Sequence, residues 1–319
     1  MTAARHALQA SLAAAVAGLP ATLAVVFATD GSTYVKPGAL ALFGGEDARQ
    51  GWLSGGCLEA DIALRAEAAL QAGEAAWMEI DTRGDEDLLS GAAVGCRGRL
   101  HLALLPLPLL PGWDLLASGW LAREGGLHLR LVERGRFEAQ VGAQSRAWSL
   151  PFEGEPPASR EVHLPPPPSV VLFGAGPESA TLLPWLRELG WITTLVEKRP
   201  RWRAQGALAD HHVEATPSQA LAVGLQADAA LVMHHHFELD RETLDGLAAH
   251  PVPFIGLLGP RRRQQDLFQL LSPAQHEALL PRLRSPVGLP LGGEGPQAIA
   301  LSIAAQLQRW REEKAERSA

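Results

Sequence analysis

The chain is poor in cysteine: its 319 residues hold two, Cys57 and Cys96. Two thiols do not make a disulfide framework, so nothing in the sequence asks for an oxidising compartment. They stand 39 positions apart without C-x-x-C spacing, and no histidine lies within four positions of either. That pattern argues against a zinc site and against a redox disulfide. Long hydrophobic runs are also missing, since none reaches the roughly 18–20 residues of a membrane span. Positive charge is in deficit, with 28 Lys and Arg against 35 Asp and Glu, a net charge of -7. Broad binding to nucleic acid or to an anionic membrane is therefore not expected, although local basic patches remain open. The first eighteen residues, with Arg5 among alanines, faintly resemble a secretory leader. However, Leu8, Leu12, Val16 and Leu19 fall at helical spacing, which reads as one face of a folded helix in a cytoplasmic protein.

What is present describes an ordinary globular chain, 47% hydrophobic and 20% charged, long enough for two domains. One stretch stands out: Ser54-Gly55-Gly56-Cys57-Leu58-Glu59-Ala60-Asp61. The glycines let the backbone turn sharply and approach a ligand. A helix starting near Cys57 would aim free N–H groups and the positive end of its dipole at the sulfur, which favours thiolate. A cysteine packed behind a tight turn is the other reading of the same residues.

In the first domain, residues 1–110, the order is helix, buried strand (Ala21 to Thr29), a loop from Asp30 to Gly38, and a second strand (Ala39 to Phe43). A helix over Leu58 to Gln71 with Gly73 as its C-cap follows, then strands at Ala76 to Asp81 and Leu100 to Leu105. The last is preceded by Gly95-Cys96-Arg97-Gly98, a second cysteine flanked by glycine, which is unusual for two thiols that only fill a core. Lys36, in the Asp30 to Gly38 loop, reads as an anion contact or as a solvated lysine. Residues 111–168 read as a connecting segment: a short helix from Trp113, a hairpin around Arg134-Gly135, and a stiff spacer ending in Pro165 to Pro168.

The second domain, residues 169–319, opens on an apolar strand, Ser169 to Phe173, then Gly174-Ala175-Gly176, a helix to Leu189, and a strand Ile192 to Val196. Glu197 ends that strand, 21 residues after Gly176. This is the pattern of a mononucleotide-binding βαβ unit with Ser179 in place of the third glycine. Gly174 and Gly176 would let a phosphate approach the helix N-terminus. Glu197 reads as a ribose contact or a strand-end acid, and Arg199 as its partner or a phosphate contact. A strand from Ala229 ends in His234-His235-His236, a strand-end cluster or a metal contact. In an extended chain His234 and His236 would share a face. Asp240 reads as the N-cap of the next helix. Arg261-Arg262-Arg263 opens a helix after the strand Val252 to Leu258, where cations oppose the dipole and an anion would compensate. Pro296 starts a closing helix. The fold class is α/β: a mixed α+β domain followed by a Rossmann-like parallel-sheet domain.

Taken together, these blocks resemble the XdhC/CoxI family, accessory proteins of xanthine dehydrogenase and related molybdenum hydroxylases. Gly31-Ser32-Thr33 with Lys36-Pro37-Gly38-Ala39 is similar to the family's G-S-x-P-R-x-P-G-A loop, with Tyr34 for proline. Gly55-Gly56-Cys57-Leu58-Glu59 is similar to G-G-C-L-E, and Gly95-Cys96-Arg97-Gly98 to G-C-G-G with Arg97 for glycine. In the second half, Val171 to Ala180 resembles the family's Rossmann opening, with Pro177 for histidine. Val196 to Pro200 is similar to V-D-x-R-P with Glu197 for aspartate, and the Met233 segment to M-x-H, placing His235 on the family histidine. Ile255 to Arg263 is similar to I-G-L-L-G-S-R-R with Pro260 for serine, and Arg282 to Gly292 resembles R-L-H-x-P-x-G-L-x-x-G with Arg284 for histidine.

The resemblance implies a carrier of the molybdenum cofactor, molybdopterin or its dinucleotide form, that supports its sulfuration with a cysteine desulfurase and inserts it into an apo molybdenum hydroxylase of xanthine dehydrogenase type. It also implies a homodimer and no catalysis. Cys57 and Cys96 would face the metal–sulfur end, with Gly55, Gly56, Glu59 and Lys36 nearby. Gly174, Gly176, Glu197, His235, Arg261 and Arg262 would serve the rest of the anionic ligand. Two other readings stand beside it: an NAD(P)-dependent oxidoreductase using the Rossmann half, and a protein-docking adaptor with a vestigial site.

Overall fold

The computed structural model describes residues 2–47, 49–83, 97–132, 135–153, 159–224 and 226–318. The chain divides into two compact units, Met1–Pro167 and Pro168–Ala319. No helix among the described residues is long and apolar enough to cross a membrane.

The first unit is built on a six-stranded sheet in the order β3-β2-β1-β5-β4-β9. Its strands are β1 (Ala21–Gly31), β2 (Leu40–Gly44), β3 (Arg49–Gln50), β4 (Ala75–Asp81), β5 (Gly98–Pro106) and β9 (Phe152–Glu153). β1 is a continuous apolar run because both of its faces are covered. Ala24 and Val26 join a core with Ile62, Ala66 and Ala69 of helix α2 (Glu59–Ala72). Leu23, Val25 and Phe27 join another with α1 (Thr2–Ala17) and α3 (Trp113–Leu121). Between Val26 and Ala28 the pairing of β1 with β5 shifts register, a bulge just before the Gly31 loop. As expected, Gly73 ends α2 in a left-handed conformation, φ 67°.

The face of α1 differs from the expected one. Ala4, Arg5, Ala7, Leu8, Ser11 and Ala14 are buried, whereas Val16 is 72% exposed. The reason is α3: Trp113 Nε1 donates to Ser11 Oγ at 2.9 Å, and Ser11 Oγ donates to Leu8 O. That bond turns the small, alanine-rich side of α1 inward. Residues 111–164, expected as a connector, build into the first unit. β6 (Leu127–Val132), β7 (Arg136–Val141), β8 (Gln144–Ser149) and β10 (Arg160–Leu164) form a four-stranded sheet in the order β10-β6-β7-β8. Its inner residues Leu129, Phe137, Trp148 and Val162 share the α1 and α3 core.

The second unit is a parallel sheet in the order β13-β12-β11-β14-β15-β16. The strands are β11 (Ser169–Phe173), β12 (Ile192–Val196), β13 (His211–Val213), β14 (Ala229–Val232), β15 (Phe254–Leu257) and β16 (Leu283–Arg284). This is the doubly wound order, with its switch point between β11 and β14. Val170 and Leu172 pack with α4 (Ser179–Glu188) and α9 (Gly295–Ser318); Val171 and Phe173 pack with α6 (Phe237–Ala248) and its neighbours α5 (Pro217–Ala222) and α8 (Pro273–Leu279). The remaining helix, α7 (Arg261–Phe268), follows β15.

Arg282, which opens the Arg282 to Gly292 block, has a structural task. Its guanidinium donates to Leu247 O at 2.9 Å, Ala248 O at 3.3 Å, Val252 O at 2.8 Å and also His250 O, while Nε donates to Ala278 O. These include orphan carbonyls at the end of α6, where a cation also meets the negative end of the dipole. Arg282→Ala is expected to lower stability by about 2–4 kcal/mol, read as a lower urea midpoint with an unchanged slope.

Candidate functional site

In the first unit the site is the loop before α2. Ser54 is buried, and its hydroxyl accepts from the N–H groups of Gly56 and Leu58, each at 3.1 Å. The same hydroxyl donates to Glu59, whose other oxygen takes the N–H groups of Leu53 at 3.1 Å and Ser54 at 2.7 Å. Glu59, expected beside a ligand, is therefore a buried brace that folds the loop. Burial pushes its carboxyl up, but the bonds from Ser54 and Leu53 outweigh that and hold it below the usual range. Cys57, in contrast, is exposed and free, with Sγ 3.7 Å from Ser54 Oγ. The thiol is therefore not packed behind the turn.

The three glycine-rich blocks of the first half meet here. Ser32, Thr33 and Tyr34 from the first, Ser54, Gly55 and Cys57 from the second, and Gly98 from the third line one cleft. Gly31 and Gly98 make the meeting geometrically feasible. A Cβ on Gly31 would lie 2.7 Å from Arg97 O, and one on Gly98 would strike the Ser32 carbonyl and Thr33 Cγ2. Ser32 N–H donates to Arg97 O at 3.2 Å. Cys96 lies outside the described residues, two positions before Gly98 in the chain. Lys36 is exposed on the far part of the first loop and is not among the cleft's lining residues. Gly56 needs its glycine, with φ 105°, whereas Gly55 does not: no atom lies within 4 Å of its Cβ position and its φ is ordinary.

In the second unit the crevice at the switch point is lined by the expected residues in unexpected roles. Glu197 is buried; it accepts from Ala175 N at 2.9 Å and from Arg199 Nε and Nη2 at 2.9 and 2.5 Å. Burial raises its pKa, but these bonds prevail and hold it low. Arg199 also donates to His234 O at 2.7 Å and Ala175 O at 3.0 Å, so it ties the glycine turn to the end of β14. The three histidines do not run as an extended strand. His234 is buried against Asp240 (Nδ1 to Oδ1 3.1 Å), His235 turns left-handed at φ 52°, and His236 caps α6 by accepting from Leu239 N–H. Asp240 is thus not the cap expected of it but lies inside the first turn, gripped by His234 and by Arg263 at 2.6 Å. Helix α6 starts earlier because the histidine ring supplies the cap. Gly174 and Gly176 face the chain's own side chains: a Cβ on Gly174 would lie 2.5 Å from His234 Cγ. Arg261 and Arg262 are exposed in the first turn of α7, with no ion pair among the described residues.

Two residues, Ser54 and Glu178, take roles that their place in the sequence blocks does not give them. Ser54 is recognisable only from its partners. Glu178 stands at the N-cap position of α4 beside the glycine turn and bonds His235 Nε2 at 2.8 Å. Its signal was legible, since an acid at that position disfavours a phosphate. A broader concave surface lies on the outer face of the four-stranded sheet, among His128, Arg130, Glu138 and His163. Arg130 and Arg136 are spent on Glu138 there, and none of the motif blocks falls on it.

The Glu59 brace gives a pH dependence. Its folded pKa is depressed, so its stabilisation is complete above about pH 4.3, the unfolded value, and is lost as pH falls through the lower folded pKa. Glu59→Gln is expected to melt lower at neutral pH, with the gap to the native chain closing on acidification; thermal melts across a pH series check both.

A family model described as the XdhC and CoxI family matches residues 14–81, and one described as the XdhC Rossmann domain matches residues 170–307. The chain is 30% identical over 313 residues to a Bacillus subtilis protein described as a probable subunit of xanthine dehydrogenase, covering 91% of this chain and 93% of that one. A crystal structure from Bacillus halodurans, described as a xanthine dehydrogenase, superposes with a TM-score of 0.80 at 27% identity, covering 98% of this chain and 96% of the other. A shorter match, 35% identical over 97 residues, is to the uncharacterized Escherichia coli protein YqeB, of which it covers 18%. With the Cys57 loop and the parallel sheet each under its own family model and a relative aligned along nearly its whole length, the chain belongs to the XdhC and CoxI family.

Proposed function

We propose that this chain is an accessory protein of xanthine dehydrogenase, or of a related molybdenum hydroxylase, that binds the molybdenum cofactor, supports its sulfuration and inserts it into the apo-enzyme. The observation that carries the reading is the convergence of three glycine-rich blocks on one cleft with an exposed thiol. The names of the two Bacillus relatives support xanthine dehydrogenase as the client.

The residues fit such a cargo. The metal–sulfur end of the cofactor is soft, and a cysteine sulfur is its matching donor. Cys57 would hold that end, with Cys96 of the third block as the second thiol. Ser32 and Thr33 line the cleft beside that sulfur, and Lys36 on the same loop offers a cation to the anionic end. Gly55 leaves the side of the loop next to Cys57 open to close approach. When bound, the cofactor carries the oxo-metal chemistry that the client uses; this chain holds it, shields it and gives it up. In that role its partners are the apo-hydroxylase and a cysteine desulfurase that supplies the sulfur.

Purified protein loaded with the cofactor is expected to retain both molybdenum and pterin fluorescence after gel filtration. Cys57→Ala is expected to weaken retention by about tenfold or more. Failure of the native chain to retain either signal overturns the proposal, and unchanged retention by Cys57→Ala removes that thiol from it. The neighbouring glycines separate structure from binding. Gly56→Ala is expected to cost about 1–3 kcal/mol through its backbone conformation. Gly55→Ala should leave stability within about 0.5 kcal/mol while still weakening cofactor retention.

A further inference from the structure

A Rossmann unit that binds a dinucleotide needs free N–H groups in its glycine turn, a helix N-terminus open to phosphate, and an acid free for the ribose. In this chain all three are already engaged. Ala175 N–H goes to Glu197 at 2.9 Å and Gly176 N–H to Ser179 Oγ at 3.0 Å. Glu197, the acid in the ribose position, is held by Arg199 through Nε and Nη2.

The N-terminus of α4 is filled as well. Glu178 is 3% exposed in its side chain and lies over the turn, bonded to His235 Nε2 at 2.8 Å. A Cβ built on Gly176 would meet Glu178 Oε1 at 2.6 Å and His235 Nε2 at 2.7 Å. The room that the second glycine opens is therefore occupied by a carboxylate and an imidazole of the same chain. His235 reaches this place from a left-handed backbone, φ 52°, which residues other than glycine rarely adopt. Its Nδ1 carries no hydrogen bond among the described residues, and its side chain is half exposed. A ligand entering the crevice meets that ring edge, with two acids behind it, and not a row of amides.

We infer that Glu178 is a specificity-determining residue: its carboxylate, clamped by His235, bars a diphosphate from the glycine turn, so this unit does not take NAD(P) or another dinucleotide there. Two effects act together. The side chains of Glu178 and His235 fill the volume a phosphate needs, and the Glu178 carboxylate repels its charge, while Glu197 is already paired with Arg199. The inference is independent of the cofactor reading, since a native chain that failed to hold the molybdenum cofactor would leave it untouched.

The test is calorimetric titration of the full chain with ADP and with NADH, for the native protein, Glu178→Gln and Glu178→Ala. The native chain is expected to show no binding at millimolar ligand. Glu178→Ala, which removes bulk and charge, is expected to bind ADP at least about tenfold more tightly than the native chain, with the gain shrinking as salt rises. Glu178→Gln removes the charge but keeps the bulk, and is expected to gain less. Millimolar or tighter binding of either ligand by the native chain overturns the inference. So does a Glu178→Ala protein that melts cooperatively and yet gains nothing. If Glu178→Ala does not fold, Glu178→Gln decides: a gain supports the barrier and no gain overturns it.

Discussion

The first unit depends on a contact that leaves no room for side chains. Gly31 and Gly98 bring two backbone segments so close that a Cβ on either would overlap the other strand's carbonyl region. Hydrogen bonding follows from that approach: Ser32 N–H reaches Arg97 O, and Thr82 Oγ1 and N–H both take up Gly98 O. The first and third glycine blocks are thereby fixed to one end of β1 and β5. The second block is fixed separately, by the Ser54–Glu59 brace, and Cys57 is left as the exposed member between two rigid supports. Glycine at these positions serves geometry first, and the cleft is the consequence.

In the second unit one cation plays the comparable part. Arg199 reaches Glu197, the carbonyl of Ala175 after β11 and the carbonyl of His234 after β14. It thus bridges the two strands on either side of the switch point, where an open sheet normally leaves space for a ligand. Asp240 does the same one strand over, linking the end of β14 to Arg263 of α7. Burial raises the pKa of Asp240, but its bonds to His234 and Arg263 prevail and keep it ionised. The strand ends are held by internal ion pairs, and the fold does not need a nucleotide to satisfy them.

Much of this architecture was legible in the residues, and the exceptions have physical causes. Ser169–Phe173 and Ala229–Val232 read as strands because a parallel sheet covered on both faces leaves them apolar throughout. Helix α1 was legible as a helix, but its buried face was not, because alanines carry little signal and the deciding bond comes from Trp113. β8 and β10 were hidden by the wet outer face of their sheet. In Gln144–Ser149 only Trp148 is buried, and in Arg160–Leu164 only Val162 and Leu164 are. The Cys57 loop stood out through its glycines, while the brace beneath it did not, since a buried glutamate looks like any other until its donors are known. The Rossmann turn was recognisable by spacing alone, which says where the turn is but not what already occupies it.

The bulge in β1 carries a consequence for how this family can change length. Up to Val26 the strand sends alternate residues into two different cores, large ones beside α1 and smaller ones beside α2. Adding or deleting a residue within Ala21 to Val26 would swap the two sets and spoil both cores at once. Beyond the register shift at Val26 and Ala28 the strand is already out of phase and its residues are only partly buried or exposed. Length variation among relatives should therefore collect between the bulge and β2, in the loop that shapes one wall of the thiol cleft, while the sheet stays the same.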